Sequence, residues 1–142
     1  MPSFESSLPD LQTSGPILQV FIGPSRELIV AYGTEAVASP IPVSALVDTG
    51  AAATVITAET AALLGLRSVG AVSIHTPTTI DPVLCRQFHV NVHFSPVFAV
   101  ENIVVIEAPL TGQFFQCLIG RDVLSRGVLT YDGARNRFSI TF

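Results

Sequence analysis

The chain has 142 residues, 49% hydrophobic and only 13% charged, with 7 basic against 11 acidic side chains and a formal net charge of −4. That length suits one domain of ordinary size, and so high an apolar fraction excludes a disordered regulator. The basic residues include no run of three, which excludes a nucleic-acid backbone as the main partner, and leaves an apolar surplus to be buried in a membrane or against another chain.

Residues 1–16 hold Ser, Pro, Gly, Gln and Thr with scattered apolar positions and read as a flexible N-terminal extension. Met1-Pro2-Ser3-Phe4-Glu5-Ser6-Ser7 has no basic region followed by an apolar one, so no secretory signal is expected and the expected compartment is the cytoplasm. Residues 17–142 read as the folded domain. The β-rich runs Ile17 to Ile22 and Glu27 to Tyr32 flank Gly23-Pro24-Ser25, a hairpin signal. Further strands are expected at Val43 to Val47, Thr54 to Ile56, Ala71 to His75, Val83 to Phe94, Ile103 to Ile106 and Phe114 to Ile119. A last hairpin joins Gly127 to Tyr131 with Arg137 to Phe142 around Asp132-Gly133.

Helix is scarce. One helix is expected from Ala58 to Leu64, capped by Thr57, favoured by Glu59 in its first turn and ended by Gly65. A shorter one is expected from Arg121 to Ser125. The most apolar stretch, Pro96 to Leu110, is interrupted by Glu101, Asn102 and Glu107, whereas a membrane span needs about 20 apolar residues in a row. Many short strands with regular turn punctuation define an all-β domain of the barrel or sandwich kind. Cys85 and Cys117 fit reduced, buried thiols in strands better than a disulfide framework.

The segment richest in chemistry runs from Val43 to Ile56. An apolar strand ends in Asp48, a hydroxyl follows at Thr49, Gly50 lets backbone come close, and a second apolar strand begins after Ala51-Ala52-Ala53. A carboxylate at the end of an apolar strand is costly unless it is hydrogen-bonded or used. Asp-Thr-Gly alone is also an ordinary turn sequence. Further on, Cys117-Leu118-Ile119-Gly120-Arg121-Asp122-Val123-Leu124 passes from an apolar strand through glycine into a short helix.

Together the two segments resemble the retropepsin-like aspartic proteases, single-domain relatives of pepsin that include the retroviral enzymes. Asp48-Thr49-Gly50-Ala51 matches that family's catalytic loop, and Ile119-Gly120-Arg121-Asp122 matches its second motif. The resemblance covers Ile17 to Phe142. It implies a closed or partly closed β-barrel with one or two short helices, working as a homodimer.

The implied chemistry is peptide-bond hydrolysis. Two carboxylates about 3 Å apart cannot both ionise and share one proton, and aspartic proteases are the standard worked case. One carboxylate acts as base toward a water while its protonated partner polarises the scissile carbonyl. This chain carries a single Asp-Thr-Gly, so the second Asp48 must come from a second copy about a twofold axis. By resemblance Thr49 ties the two loops across that axis, Gly50 floors the site, and Phe138 to Phe142 pairs with its symmetry mate. An edge strand within one subunit is the alternative for that last segment.

The resemblance also implies a flap over the substrate, with arms at Val72 to Thr76 and Val83 to Phe88. Ala51, Ala52, Ala53, Ile74, Thr76, Thr78 and Thr79 are the expected substrate-binding residues. The sequence departs from the retroviral pattern twice. The flap tip, Pro77 to Pro82, contains no glycine and is bounded by prolines that restrict φ. Ala52 and Ala53 stand where an acidic partner for Arg121 is usual, which leaves a backbone carbonyl or another carboxylate to take that role. Asp122 reads as helix-dipole and capping support.

His89 and His93 would sit on one face of a strand about 13 Å apart, too far to share an ion, and His75 stands alone. No metal and no organic cofactor is implied. The expected partners are a second copy and a peptide or protein substrate, with neither nucleic acid nor membrane. The competing function is a retropepsin-like dimer that binds an extended peptide or partner protein without cutting it.

Overall fold

The computed structural model describes residues 1–26, 39–75 and 80–142. Ten strands are described: β1 Ser3–Ser7, β2 Ile17–Pro24, β3 Ile41–Val47, β4 Val55–Ile56, β5 Gly70–Ile74, β6 Val83–Ser95, β7 Phe98–Glu107, β8 Cys117–Ile119, β9 Val128–Asp132 and β10 Arg137–Thr141. Among the described residues three short α-helices join them, α1 Leu11–Ser14, α2 Ala58–Leu63 and α3 Arg121–Leu124. α1 exceeds the one or two helices expected. None of the described helices is long and apolar enough to cross a membrane.

Seven strands form one sheet in the order β2-β3-β8-β4-β7-β6-β5, and β2 also pairs with β6. That extra pairing closes six strands into a barrel and leaves β5 as an outer arm on β6. Closure depends on β2 changing partner along its length. Residues Ile17 to Ile22 pair with β3, while Phe21 to Pro24 pair with His93 to Val90 of β6. Gly23 and Pro24 remain in the strand, so they do not form the turn expected at Gly23-Pro24-Ser25. The expected arm Glu27 to Tyr32 lies outside the described residues.

The barrel encloses Val20, Ile22, Phe88, Val90, Val105 and Ile119, each at most 1% exposed, and complete burial of such a side chain contributes about 1.5–3 kcal/mol. Cys117 lies wholly inside this core, where burial first and Asp122 second push its thiol up to about 12. α2 matches its sequence signals closely. Thr57 Oγ1 accepts from the Thr60 amide at the N-terminus. At the C-terminus Gly65 takes φ 61°, and the amides of Gly65 and Leu66 donate to the carbonyls of Ala62 and Ala61, which closes the helix in a Schellman motif.

Two expectations about the termini are corrected. Residues 1–16 are not a loose extension: β1 pairs with β10 from Ser3↔Thr141 to Ser7↔Arg137, and Leu11 is fully buried. Asn136 ties this segment to the last hairpin, its side-chain oxygen accepting from the Leu11 amide and its carbonyl from the Leu8 amide. The expected dimer strand, Phe138 to Phe142, is likewise occupied at home. β10 is the middle strand of a separate sheet ordered β1-β10-β9, so both of its edges are filled by its own chain. The alternative of an edge strand fails for the same reason.

Alternation along the chain explains this second sheet. Phe138 and Ile140 point inward and pack with Leu11 and Val47 in a smaller core, while Arg137, Ser139 and Thr141 occupy the other face. Phe4 of β1 stacks on Phe94 and Phe98, with ring centroids 5.3 and 5.7 Å away, and Phe142 completes the group. Scattered apolar residues in an otherwise polar segment hid this anchor from a reading by composition.

Candidate active site

The site is built where two chain segments cross. β3 and β8 run parallel, with Val47 opposite Ile119, and the ladder continues one step as the Asp48 amide donates to the Ile119 carbonyl at 2.9 Å. Past that point each strand must turn away. The Asp48 loop turns through Thr49 and Gly50, with the Ala51 amide donating to the Asp48 carbonyl. Within it the Gly50 amide donates to Asp48 Oδ1 at 2.9 Å, an Asx-type turn that fixes the carboxylate. Asp48 is half-buried, while Thr49 and Gly50 are exposed.

The second segment passes directly against this loop. The Arg121 amide donates to the Ala51 carbonyl, and Arg121 Nη1 donates to the Thr49 carbonyl at 2.7 Å. The partner left open by the loss of acidic residues at Ala52 and Ala53 is thus a backbone carbonyl. Gly120 is required by packing: a Cβ there would lie 2.6 Å from the carbonyl carbon and oxygen of Ala53 and 3.0 Å from the Ala51 oxygen. Those are backbone atoms, and they cannot retreat without opening the crossing.

Thr54 is the hub of the crossing. It is fully buried; its hydroxyl donates to Asp122 Oδ1 at 2.7 Å and accepts from the Gly120 amide at 3.1 Å. Its amide donates to Asp122 Oδ2 at 2.9 Å. Asp122 therefore does more than support the start of α3. Its Oδ1 accepts from the Val123 amide, but the N-cap position is Gly120, which makes no side-chain cap, and the carboxylate chiefly clamps Thr54. Sequence reasoning passed over Thr54. The available signal was a hydroxyl entering an apolar strand beside a motif that also carries an unassigned carboxylate.

The expected site residues separate into groups. Asp48 through Ala53 and Gly120 through Asp122 form this single cluster, with Ile119 in the strand that feeds it. The carbonyls of Ala51 and Ala53 face Gly120, so both alanines serve the crossing through their backbone. Ile74 ends β5 opposite Val83, and β7 and β6 lie between β5 and β4 in the sheet, so the sheet does not bring it to the Asp48 loop. Thr76, Thr78 and Thr79 lie outside the described residues. A separate cavity of about 520 Å³ opens between the start of α2, the start of β6 and the loop after β7, lined by Thr57, Glu59, Leu84, Glu107 and Leu110 among others. Neither Asp48 nor Gly120 lines it.

A closed six-stranded barrel with an Asp-Thr-Gly loop locked against a Gly-Arg-Asp segment defines a single-domain fold of the aspartic protease class. A family model described as "gag-polyprotein putative aspartyl protease" matches residues 37–126, and the chain belongs to this retropepsin-like family. Among solved structures it is similar to a retropepsin-like aspartic protease from Rickettsia conorii, with a TM-score of 0.61 and 15% identity over 99% of this chain and 93% of that one. At that identity the likeness is one of fold. The retroviral protease-like domain of Ddi1 from Leishmania major aligns over 89% of this chain and 94% of that chain, at 18% identity and a TM-score of 0.45. No curated protein sequence matches the chain.

Proposed function

We propose that the chain is an aspartic endopeptidase that hydrolyses peptide bonds as a homodimer, with one Asp48 from each copy forming the catalytic pair. The observation that carries this reading is the fixed loop: Gly50 orients the Asp48 carboxylate, and Arg121 holds the Thr49 carbonyl. Such preorganisation suits a group that must meet its reaction partner in one geometry. With a single Asp-Thr-Gly in the chain, the second carboxylate comes from a second copy. One Asp48 then takes a proton from the attacking water, while the other, protonated, donates to the scissile carbonyl oxygen. An extended peptide would cross the twofold as an added strand, against Gly50, Ala51, Ala52 and Ala53.

Activity is expected to be highest at acidic to mildly acidic pH, because ionisation of the second carboxylate removes the shared proton. Asp48→Asn tests the reading. Peptide hydrolysis should fall about 10²- to 10⁴-fold, with folding and dimerisation unchanged. A dimeric wild-type protein that cleaves no peptide between about pH 4 and 7 would overturn it. In that case the second reading stands, a dimer that binds an extended peptide without cutting, which the glycine-free Pro77 to Pro82 segment favours.

A further inference from the structure

We infer that a groove beside the start of α2, with Glu59 in its lining, docks a basic side chain of the peptide to be cut, several residues away from the bond under attack. The identity of that occupant rests on the peptidase reading. Two adjoining cavities make up the groove. The cavity of about 520 Å³ between the start of α2, the start of β6 and the loop after β7 shares Thr57, Glu59, Leu110 and Gln113 with a second of about 360 Å³, which reaches Leu63 and Phe115. Each falls within the range of about 300–1,000 Å³ usual for cavities that hold ligands.

Charge selects the occupant. Among the described residues the lining of the two cavities includes two carboxylates, Glu59 and Glu107, and no basic side chain. Arg86 donates to both oxygens of Glu107, so that pair is neutral and closed. Glu59 is exposed, and its carboxylate has no ion-pair partner among the described residues. The surface beside it is apolar, with Leu84 73% and Leu63 72% exposed. An open carboxylate between leucines suits Arg or Lys, whose methylene stem lies on apolar surface while its cationic head reaches the acid. The formal net charge of −4 favours the approach of the same kind of peptide.

Position connects the groove to the proposed site. Thr57 follows Ala53 by four residues, and even a fully extended chain spans at most about 14 Å over that length. The groove therefore begins within about 14 Å of the Asp48 crossing, although neither Asp48 nor Gly120 lines it. An extended peptide lying against Ala51 to Ala53 covers that distance in about four residues, so a single substrate is long enough to engage both places.

Titration of the Asp48→Asn protein, which leaves the probes uncut, with two blocked peptides tests the inference. Both have alanine ends and two leucines about a central residue, arginine in one and glutamine in the other. Amide chemical shifts of residues 57–60, 84 and 110–113 should move with the arginine peptide, and it should bind about fivefold more tightly than the glutamine peptide. Adding Glu59→Gln, an exposed change with no ion pair to break, should abolish the difference. In the active protein, a longer peptide with arginine about four residues from the cleaved bond should lose about fivefold in kcat/KM, through KM with kcat unchanged, when either that arginine or Glu59 becomes glutamine. Equal affinity for the two probes, an arginine preference that survives Glu59→Gln, shifts confined to other residues, or a KM indifferent to both changes would each overturn the inference. The titration does not use hydrolysis, so the two readings fail separately. A groove that selects arginine in a protein that cuts nothing refutes only the peptidase, and Asp48-dependent cleavage indifferent to Glu59 refutes only the groove.

Discussion

The crossing around Asp48 is held by directed polar bonds, whereas the terminal sheet that packs on neighbouring Val47 is held by strand ladders and aromatic rings. In the crossing, Thr54, Gly120, Arg121 and Asp122 join segments 66 to 72 residues apart, with each bond fixed in length and direction. In the terminal sheet the longest-range link, β1 to β10, relies on five paired residues and on Phe4 among three other rings. The difference bears on tolerance. The buried centre of the crossing, where the Gly120 amide meets Thr54, fails when one member is altered, because the partner is left unsatisfied in a medium that cannot replace water. A half-buried ring group loses contact area in proportion and repacks.

The largest effect should come from breaking the crossing sterically. Gly120→Ala puts a methyl group 2.6 Å from Ala53 backbone atoms, and overpacking against rigid backbone costs about 3 kcal/mol. Urea unfolding at fixed protein concentration measures it, and any hydrolysis should fall with it because the Asp48 loop must shift. Thr54→Val is the chemical counterpart. The shape is kept, but the Gly120 amide loses its acceptor and Asp122 a donor, which should cost about 1–3 kcal/mol. If Thr54→Val proved neutral in the same denaturation, the hub assignment would be wrong.

Legibility followed the same division. The Asp48-Thr49-Gly50 and Gly120-Arg121-Asp122 segments were readable because a carboxylate, a hydroxyl and glycines at strand ends are rare and chemically explicit. The caps of α2 were readable for a similar reason, since Thr57 and Gly65 act on their immediate neighbours. What escaped was non-local. The segment holding Phe4 and Leu11 looks mobile by composition, and its order depends on rings supplied by β6, β7 and the C-terminus. Pro24 reads as a turn residue, yet it ends a strand that switches partner to close the barrel, and only the register with Val90 and Asn91 reveals that. Thr54 lay between these cases, with its residue type visible and its partner 68 residues away hidden.

Phe4→Ala probes the other side of the comparison. Phe4 is half-buried, so the loss should be about 1–2 kcal/mol, below the 3–5 kcal/mol typical of a fully buried ring. The sharper observation is where the effect lands. Amides of Ser3 to Ser7 should lose hydrogen-exchange protection while those around Gly120 keep theirs, because the ring group and the crossing share no bond. Loss of protection in both would mean that the terminal sheet and the Asp48 loop unfold as one unit.

The smallest effect should come from an ion pair that belongs to neither region. Arg86 Nε and Nη2 donate to the two oxygens of Glu107, both at 2.7 Å, a forked geometry as good as any in the crossing. The Arg86 side chain is 59% exposed, however, and an exposed pair contributes little because water competes for both partners. Arg86's hydrogen bonds hold the Glu107 carboxyl below its ordinary value. A carboxyl lowered in the folded state adds stability above its unfolded value, about 4.3, and loses that contribution as pH falls through the folded value. Glu107→Gln should therefore lower the thermal midpoint at pH 7 by about a degree. The difference should vanish at more acidic pH, where the wild-type carboxyl is protonated too. Because the bonds of the pair are as short as those at Thr54, a loss at Glu107 equal to that of Thr54→Val would show that geometry, rather than burial, sets the strength of the crossing.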